Sequence, residues 1–133
     1  MNNNFDKLII LHEIFHAFGR LHEHNRLDRE KYVSIDKANI DPNFFNQFLK
    51  LPNEFQSTYQ IEYDYSSIMH YPANAFSIVP FDTTIKTVDE KFQSSLGQSA
   101  HPTFRDLKTL NMAYCQYIVI FKIMSSFKKN TKI

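Results

Sequence analysis

The sequence reads as one domain of two main helices with loop and short strands, and three observations lead to that reading. The chain has 133 residues, a length that fits one domain and hardly two. Two segments near opposite ends carry apolar residues at helical spacing. Between them, residues 54–65 are polar and tyrosine-rich and read as irregular, and residues 73–100 read as loop with short strands. Hydrophobic residues make up 43% and charged residues 22%, enough for a packed core and too apolar for general disorder.

The first helix is expected from Asp6 to Phe18, where Leu8, Leu11, Phe15 and Phe18 recur at spacings of three and four and share one face. Asn4 or Asp6 would cap its start, and Gly19 would end it in a left-handed turn. Leu27 to Asn39 is mixed and charged. Ile40-Asp41-Pro42-Asn43 breaks that pattern, and a short aromatic helix with Phe44, Phe45, Phe48 and Leu49 follows until Pro52 stops it. Glu54 to Tyr65 reads as irregular, Ser66 to Tyr71 as a compact turn region before Pro72, and residues 73–100 as loop with short strands. A second helix is expected from Phe104 to Tyr114. Phe104, Leu107, Leu110 and Tyr114 form its apolar stripe, with Thr103 as N-cap and Asp106 completing a capping box. Tyr117 to Met124 (YIVIFKIM) reads as a buried strand or a sticky tail, and the basic, polar Ser125 to Ile133 is expected to fray. There are no internal repeats.

Composition excludes several function classes. Lys and Arg number 15 against 14 Asp and Glu, a net charge of +1, so no overall polyanion-binding surface and no nucleic-acid partner are expected. Two glycines cannot build a glycine-rich phosphate loop, and one cysteine builds no internal disulfide framework. The amino terminus lacks the basic region and apolar run of a secretory signal. No apolar run approaches the ~20 residues of a membrane span.

The chemistry lies in the histidines. Four of the six fall between His12 and His24. In His12-Glu13-Ile14-Phe15-His16, the two histidines lie one turn apart on one helix face and can aim ring nitrogens at one metal ion. Glu13 is rotated about 100° round the helix, beside the metal rather than on it, where a general base for an activated water belongs. Gly19 follows His16 by three residues and His22 follows Gly19 by three, giving H-E-x-x-H-x-x-G-x-x-H. A straight helix could not return a third ligand to the same metal; a glycine that accepts positive φ lets the chain reverse, and His22 closes a three-histidine site with an open position. A lone HExxH arises by chance in many helices. The eleven-residue form has a chance expectation on the order of 10⁻⁵ in a chain this short.

The run His12 to Glu30 (HEIFHAFGRLHEHNRLDRE) resembles the extended zinc signature of the astacin peptidases, a branch of the metzincins. Glu23, Arg26, Asp28 and Arg29 match the family positions after the third histidine, while Leu27 and Glu30 stand where Pro and Asp are frequent. Ser67-Ile68-Met69-His70-Tyr71 resembles the family's Met-turn. Gly97-Gln98, Thr103, Asp106, Leu107, Leu110, Asn111, Tyr114 and Cys115 resemble its C-terminal helix and final cysteine. The resemblance covers about residues 8–115 and divides the chain into a partial astacin-like peptidase domain, 1–115, and an unassigned tail, 116–133.

It implies a zincin-like α+β fold, of which this chain carries mainly the C-terminal half. It implies one catalytic Zn²⁺ held by His12, His16 and His22, with Glu13 and Tyr71 as catalytic residues. The implied activity is a zinc-dependent metalloendopeptidase that hydrolyses peptide bonds in protein substrates through a zinc-activated water. Glu13 would be the general base, and Tyr71 a phenol that helps hold the oxyanion. Met69 would pack beneath the site. His70 is read as structural, His24 as a surface residue, and His101 is given no role. Family members are secreted or membrane-tethered, which implies an extracellular location. Astacin domains begin well upstream of the zinc helix, so the resemblance also implies an absent amino-terminal subdomain. Three expectations follow: Leu8, Leu11, Phe15 and Phe18 lose the surface they pack against and stay open to a partner; Cys115 loses its disulfide partner; and Glu23, which in the family binds the mature amino terminus, is left unpaired or bonds locally. A second functional reading is a catalytically inactive zinc-binding fragment, because the strand that aligns substrate belongs to the absent half.

Overall fold

Helix α1 spans Asn3–Ala17. It begins earlier than the apolar spacing predicts, in a computed structural model that describes residues 3–52, 54, 55 and 57–115. Asn4 and Asp6 therefore lie inside the helix and not at its cap. The helix is apolar on more than one side, and the two sides meet different fates. Phe15 is buried with Ile68 and Met69, and Leu8, Leu11 and Leu110 pack against that cluster. Three members of the predicted stripe thus keep a packing surface, contrary to expectation. Among the described side chains, the exposed large apolar ones are Ile9, Ile10 and Ile14, joined by Phe18 at the helix end.

The end of α1 is built by Gly19. Its φ of +77° is the left-handed conformation that glycine adopts without strain. The Gly19 N–H donates to His16 C=O at 2.9 Å and the Arg20 N–H to Phe15 C=O at 3.0 Å, the paired bonds of a Schellman ending. The chain then reverses across the helix it has just left.

The charged segment that follows is mostly short 3₁₀ turns, at Glu23–Asn25, Arg29–Lys31 and Lys37–Asn39. Strand β1, Val33–Ile35, lies between the last two. It pairs antiparallel with β2, Ile85–Thr87, in the register Val33↔Thr87, Ser34↔Lys86 and Ile35↔Ile85. Successive strand residues alternate sides, so Val33 and Ile85 enter the core while Ser34 and Lys86 stay exposed. The expected aromatic helix is a 3₁₀ segment, Pro42–Phe48. Pro42 opens it and the Asp41 carboxylate accepts the Asn43 N–H at 2.9 Å. The segment ends before Pro52 is reached. Its Phe48 joins Val33, Ile40, Tyr63, Ile85 and Leu96 in the larger core cluster, with Tyr71 and Phe76 packed against it.

Helix α2, Phe104–Tyr114, has the bounds the sequence predicts and the full capping box of Thr103 and Asp106. Its burial differs from prediction. Phe104, Leu107 and Tyr114 are exposed, and the buried residues are Asp106 and Thr109, with Leu110 alone of the stripe reaching the core. Polar anchors turn the helix this way. Asp106 is bonded to Ser67 and Ile68, and Thr103 to Asp64, so charge and hydrogen bonds rather than the apolar stripe fix which side of the first turn faces inward. The readings of Tyr117–Met124 and Ser125–Ile133 lie outside the described residues. Among the described residues, no helix is long and apolar enough to cross a membrane.

Candidate metal centre

Two turns of α1 supply His12 and His16, and the reversal at Gly19 supplies His22. Their Nε2 atoms converge. His22 Nε2 is 3.3 Å from Nε2 of His16 and 3.3 Å from Nε2 of His12, and the three potential ligand nitrogens all lie within 4.8 Å of one another. Three nitrogens about 2.05 Å from a tetrahedral zinc ion would be about 3.3–3.4 Å apart.

Hydrogen bonds behind two of these rings orient them. His12 Nδ1 lies 2.8 Å from the Ile68 carbonyl oxygen and His16 Nδ1 lies 2.7 Å from the Arg20 carbonyl oxygen. A carbonyl only accepts, so both Nδ1 atoms carry hydrogen, and in a neutral ring that tautomer leaves the Nε2 lone pair free for a metal. Burial and the neighbouring imidazoles lower the His22 pKa to about 3, which keeps that ring neutral. Neutral imidazoles are the form that binds metal.

Tyr71 lies beside this cluster, its ring centroid 4.4 Å from that of His22. It is half-buried, and burial raises its phenol above the usual value near 10, so it keeps its proton at neutral pH. Glu13 is exposed, next to His12 in α1. Met69 is fully buried against Phe15, and its carbonyl accepts the Glu23 N–H at 2.9 Å, which ties the Met-turn to the segment carrying His22.

The other histidines divide. His24 is not a surface residue: it is fully buried, with its ring centroid 4.1 Å from Tyr71 and 5.5 Å from Phe48. Its Nε2 faces the Gln47 carbonyl at 3.1 Å, and burial holds its pKa well below 6.5. Its ring packs against that of Tyr71. His70 is buried and satisfied, accepting from Tyr63 Oη at 2.6 Å and donating from Nδ1 to the Tyr71 carbonyl at 2.7 Å. It holds the backbone of Tyr71 in position. Glu23 bonds locally. Arg20 reaches its Oε2 at 2.8 Å, Arg26 its Oε1 at 2.7 Å, and the Asp64 N–H also donates to Oε1.

Sequence reasoning missed two further supports. Arg29 donates to the carbonyls of His24 and Phe48, and the Asn25 side chain donates to those of Gln47 and Leu49. Together they staple the Pro42–Phe48 segment under His24. Arg29 stood within the motif, but nothing in the spacing told which carbonyls it would find.

A solved relative shares this architecture. High choriolytic enzyme 1, a hatching enzyme zinc-protease from Oryzias latipes, superposes with a TM-score of 0.74 at 36% identity, over 80% of this chain and 52% of that one. The fold is the α+β, zincin-like fold of the metzincins. The chain belongs to the astacin peptidases: the family model for astacin, a peptidase family, matches residues 2–115. Among curated relatives, zinc metalloproteinase nas-34 of Caenorhabditis elegans is 44% identical over 80% of this chain and 17% of its own length. Zinc metalloproteinase nas-5 of the same organism is 38% identical over 79% of this chain and 29% of its own length. The chain thus spans less than a third of these curated relatives and about half of the solved one. The family's cofactor is Zn²⁺.

Proposed function

We propose that the protein is a zinc-dependent metalloendopeptidase, with His12, His16 and His22 as metal ligands, Glu13 as general base and Tyr71 as oxyanion partner. The observation that carries this reading is the convergence of three histidine Nε2 atoms, His22 lying 3.3 Å from each of the other two, with His12 and His16 oriented by carbonyls. Bound there, zinc would supply a Lewis acid and bring the pKa of a water to about 7. Glu13, one residue from His12, is the carboxylate able to accept that water's proton and deliver it to the leaving amine. The Tyr71 phenol, kept protonated by burial, can donate a hydrogen bond to the oxygen on which charge develops. His24 and Phe48 back its ring, and His70 holds its carbonyl. The relatives' names support peptide or protein substrates, and membership of the family supports an extracellular site of action.

The test is hydrolysis of a mixed peptide library by the chain with one equivalent of zinc, beside Glu13→Gln. Cleavage that the variant loses by at least 10²-fold is the expected result. Stoichiometric zinc without cleavage would instead assign the chain to the second reading, a zinc-binding fragment. Failure to bind zinc would overturn both.

A further inference from the structure

Two carbonyl groups orient the histidines of α1, and both belong to residues held by one buried carboxylate. Asp106, at the third position of α2, is fully buried and 94 positions from His12 in sequence. Its Oδ2 accepts the N–H groups of Ile68, at 3.1 Å, and Thr103, at 3.0 Å. Its Oδ1 accepts the Ser67 hydroxyl. Ser67 Oγ in turn accepts the Met69 N–H at 3.0 Å, and that N–H sits on the same peptide plane as the Ile68 carbonyl. Both peptides flanking the Ile68 Cα are therefore gripped through Asp106, and the Ile68 carbonyl is the acceptor for His12 Nδ1. On the other side, the Arg20 guanidinium lies 3.7 Å from Asp106 Oδ1, and the Arg20 carbonyl is the acceptor for His16 Nδ1.

We propose that Asp106 is a positioning residue for the metal centre, fixing His12 through the Ile68 peptide and His16 through Arg20. Capping α2 does not account for this arrangement. A capping-box carboxylate needs only the N-cap N–H, here that of Thr103, and gains nothing from full burial beside an arginine. The remaining bonds of Asp106 all lead away from its helix and toward residues that face the histidines. Groups of this kind set the tautomer and aim of metal-bound imidazoles, and their loss weakens metal affinity by about 10–100-fold. The proposal rests on the three-histidine reading above.

The experiment measures zinc affinity by chelator competition and the visible absorption of the cobalt-substituted chain, with far-UV circular dichroism to verify folding. Asp106→Ala is expected to weaken zinc about 10–100-fold and to shift the cobalt band. Asp106→Asn, whose amide oxygen can still accept the Ile68 N–H, is expected to recover most of that affinity. Thr103→Ala removes the other half of the capping box and is expected to lower the unfolding midpoint while leaving zinc affinity and the cobalt band unchanged. Should Asp106→Ala fail to fold, Ser67→Ala decides: it frees the peptide bearing the Ile68 carbonyl, and a loss of several-fold in zinc affinity is expected. The proposal is overturned if folded Asp106→Ala, or Ser67→Ala in its stead, binds zinc as tightly as the parent with the same cobalt spectrum. It is equally overturned if Thr103→Ala weakens zinc as much as Asp106→Ala. A parent chain that binds neither ion would refute the three-histidine centre itself, and the proposal with it.

Discussion

The two glycines adopt the same backbone conformation in different surroundings, which makes them a controlled test of strain against space. Gly19 has φ +77° and Gly97 has φ +68°, both left-handed. A Cβ built on Gly19 meets nothing within 4 Å, whereas one built on Gly97 lies 2.5 Å from Pro72 Cα and 2.7 Å from Pro72 N and Cβ. Gly19→Ala should therefore cost only the left-handed penalty, about 1–2 kcal/mol. Gly97→Ala adds an overlap with backbone atoms that cannot swing aside, a strain of about 1–3 kcal/mol, for a total of about 2–5 kcal/mol. Urea unfolding of the two metal-free variants, followed by circular dichroism, measures the difference. The reasoning is refuted if the two variants lose equal stability, or if Gly19→Ala loses more. Because Pro72 directly follows Tyr71, Gly97→Ala is also expected to disturb the near-ultraviolet signal of the tyrosines more than Gly19→Ala does.

Three further outcomes follow from the same packing. Glu23→Gln removes the buried charge that pairs with Arg20 at 2.8 Å and Arg26 at 2.7 Å, and uncompensating such buried pairs should cost about 3–5 kcal/mol. Glu62→Gln breaks the exposed pair with Arg105 and should cost under about 1 kcal/mol; a urea titration giving equal losses would contradict this. Met69→Ala empties a fully buried site and should cost about 2–5 kcal/mol, while Met69→Leu should cost under about 1.5 kcal/mol, read from thermal or urea midpoints. The His70 pKa is lowered from 6.5 to about 4 by burial, so the unfolded chain takes up this proton first as pH falls. Stability from this group is fully present above about pH 6.5 and is lost on the way down to about pH 4, by roughly 3 kcal/mol. His70→Asn should flatten that part of the metal-free chain's stability–pH curve, and an unchanged slope between pH 6.5 and 4 would refute the assignment.

What could be read from sequence here was what spacing determines. The helix period brings His12 and His16 to one face, Gly19 must turn the chain, and the pattern Thr103-x-x-Asp106 starts a helix; each of these is local, and each is found in the structure. What could not be read depends on partners far along the chain. His24 sits two residues from His22 in a polar stretch, and only the return of Gln47, Phe48 and Tyr71 makes it buried. The stripe of α2 failed as a guide for the same reason. Its period is helical, but burial was decided by Asp106 and Thr103 bonding to residues 64–68, a choice that hydrophobic periodicity does not encode.

The support of the centre follows a consistent physical division. Apolar side chains stabilise the layers on either side of it, Phe15 and Met69 beneath and Phe48 with Tyr63 beyond. Orientation is left to buried charge and backbone carbonyls. An apolar contact is nondirectional and would let an imidazole rotate, whereas a carbonyl 2.7–2.8 Å from Nδ1 fixes both its tautomer and its aim. Those carbonyls need anchors of their own, and Glu23 and Asp106 supply them through Arg20, Ser67 and the Ile68 peptide. Burying these carboxylates costs stability that hydrophobic residues of the same volume would not, which fits a role in direction rather than in strength.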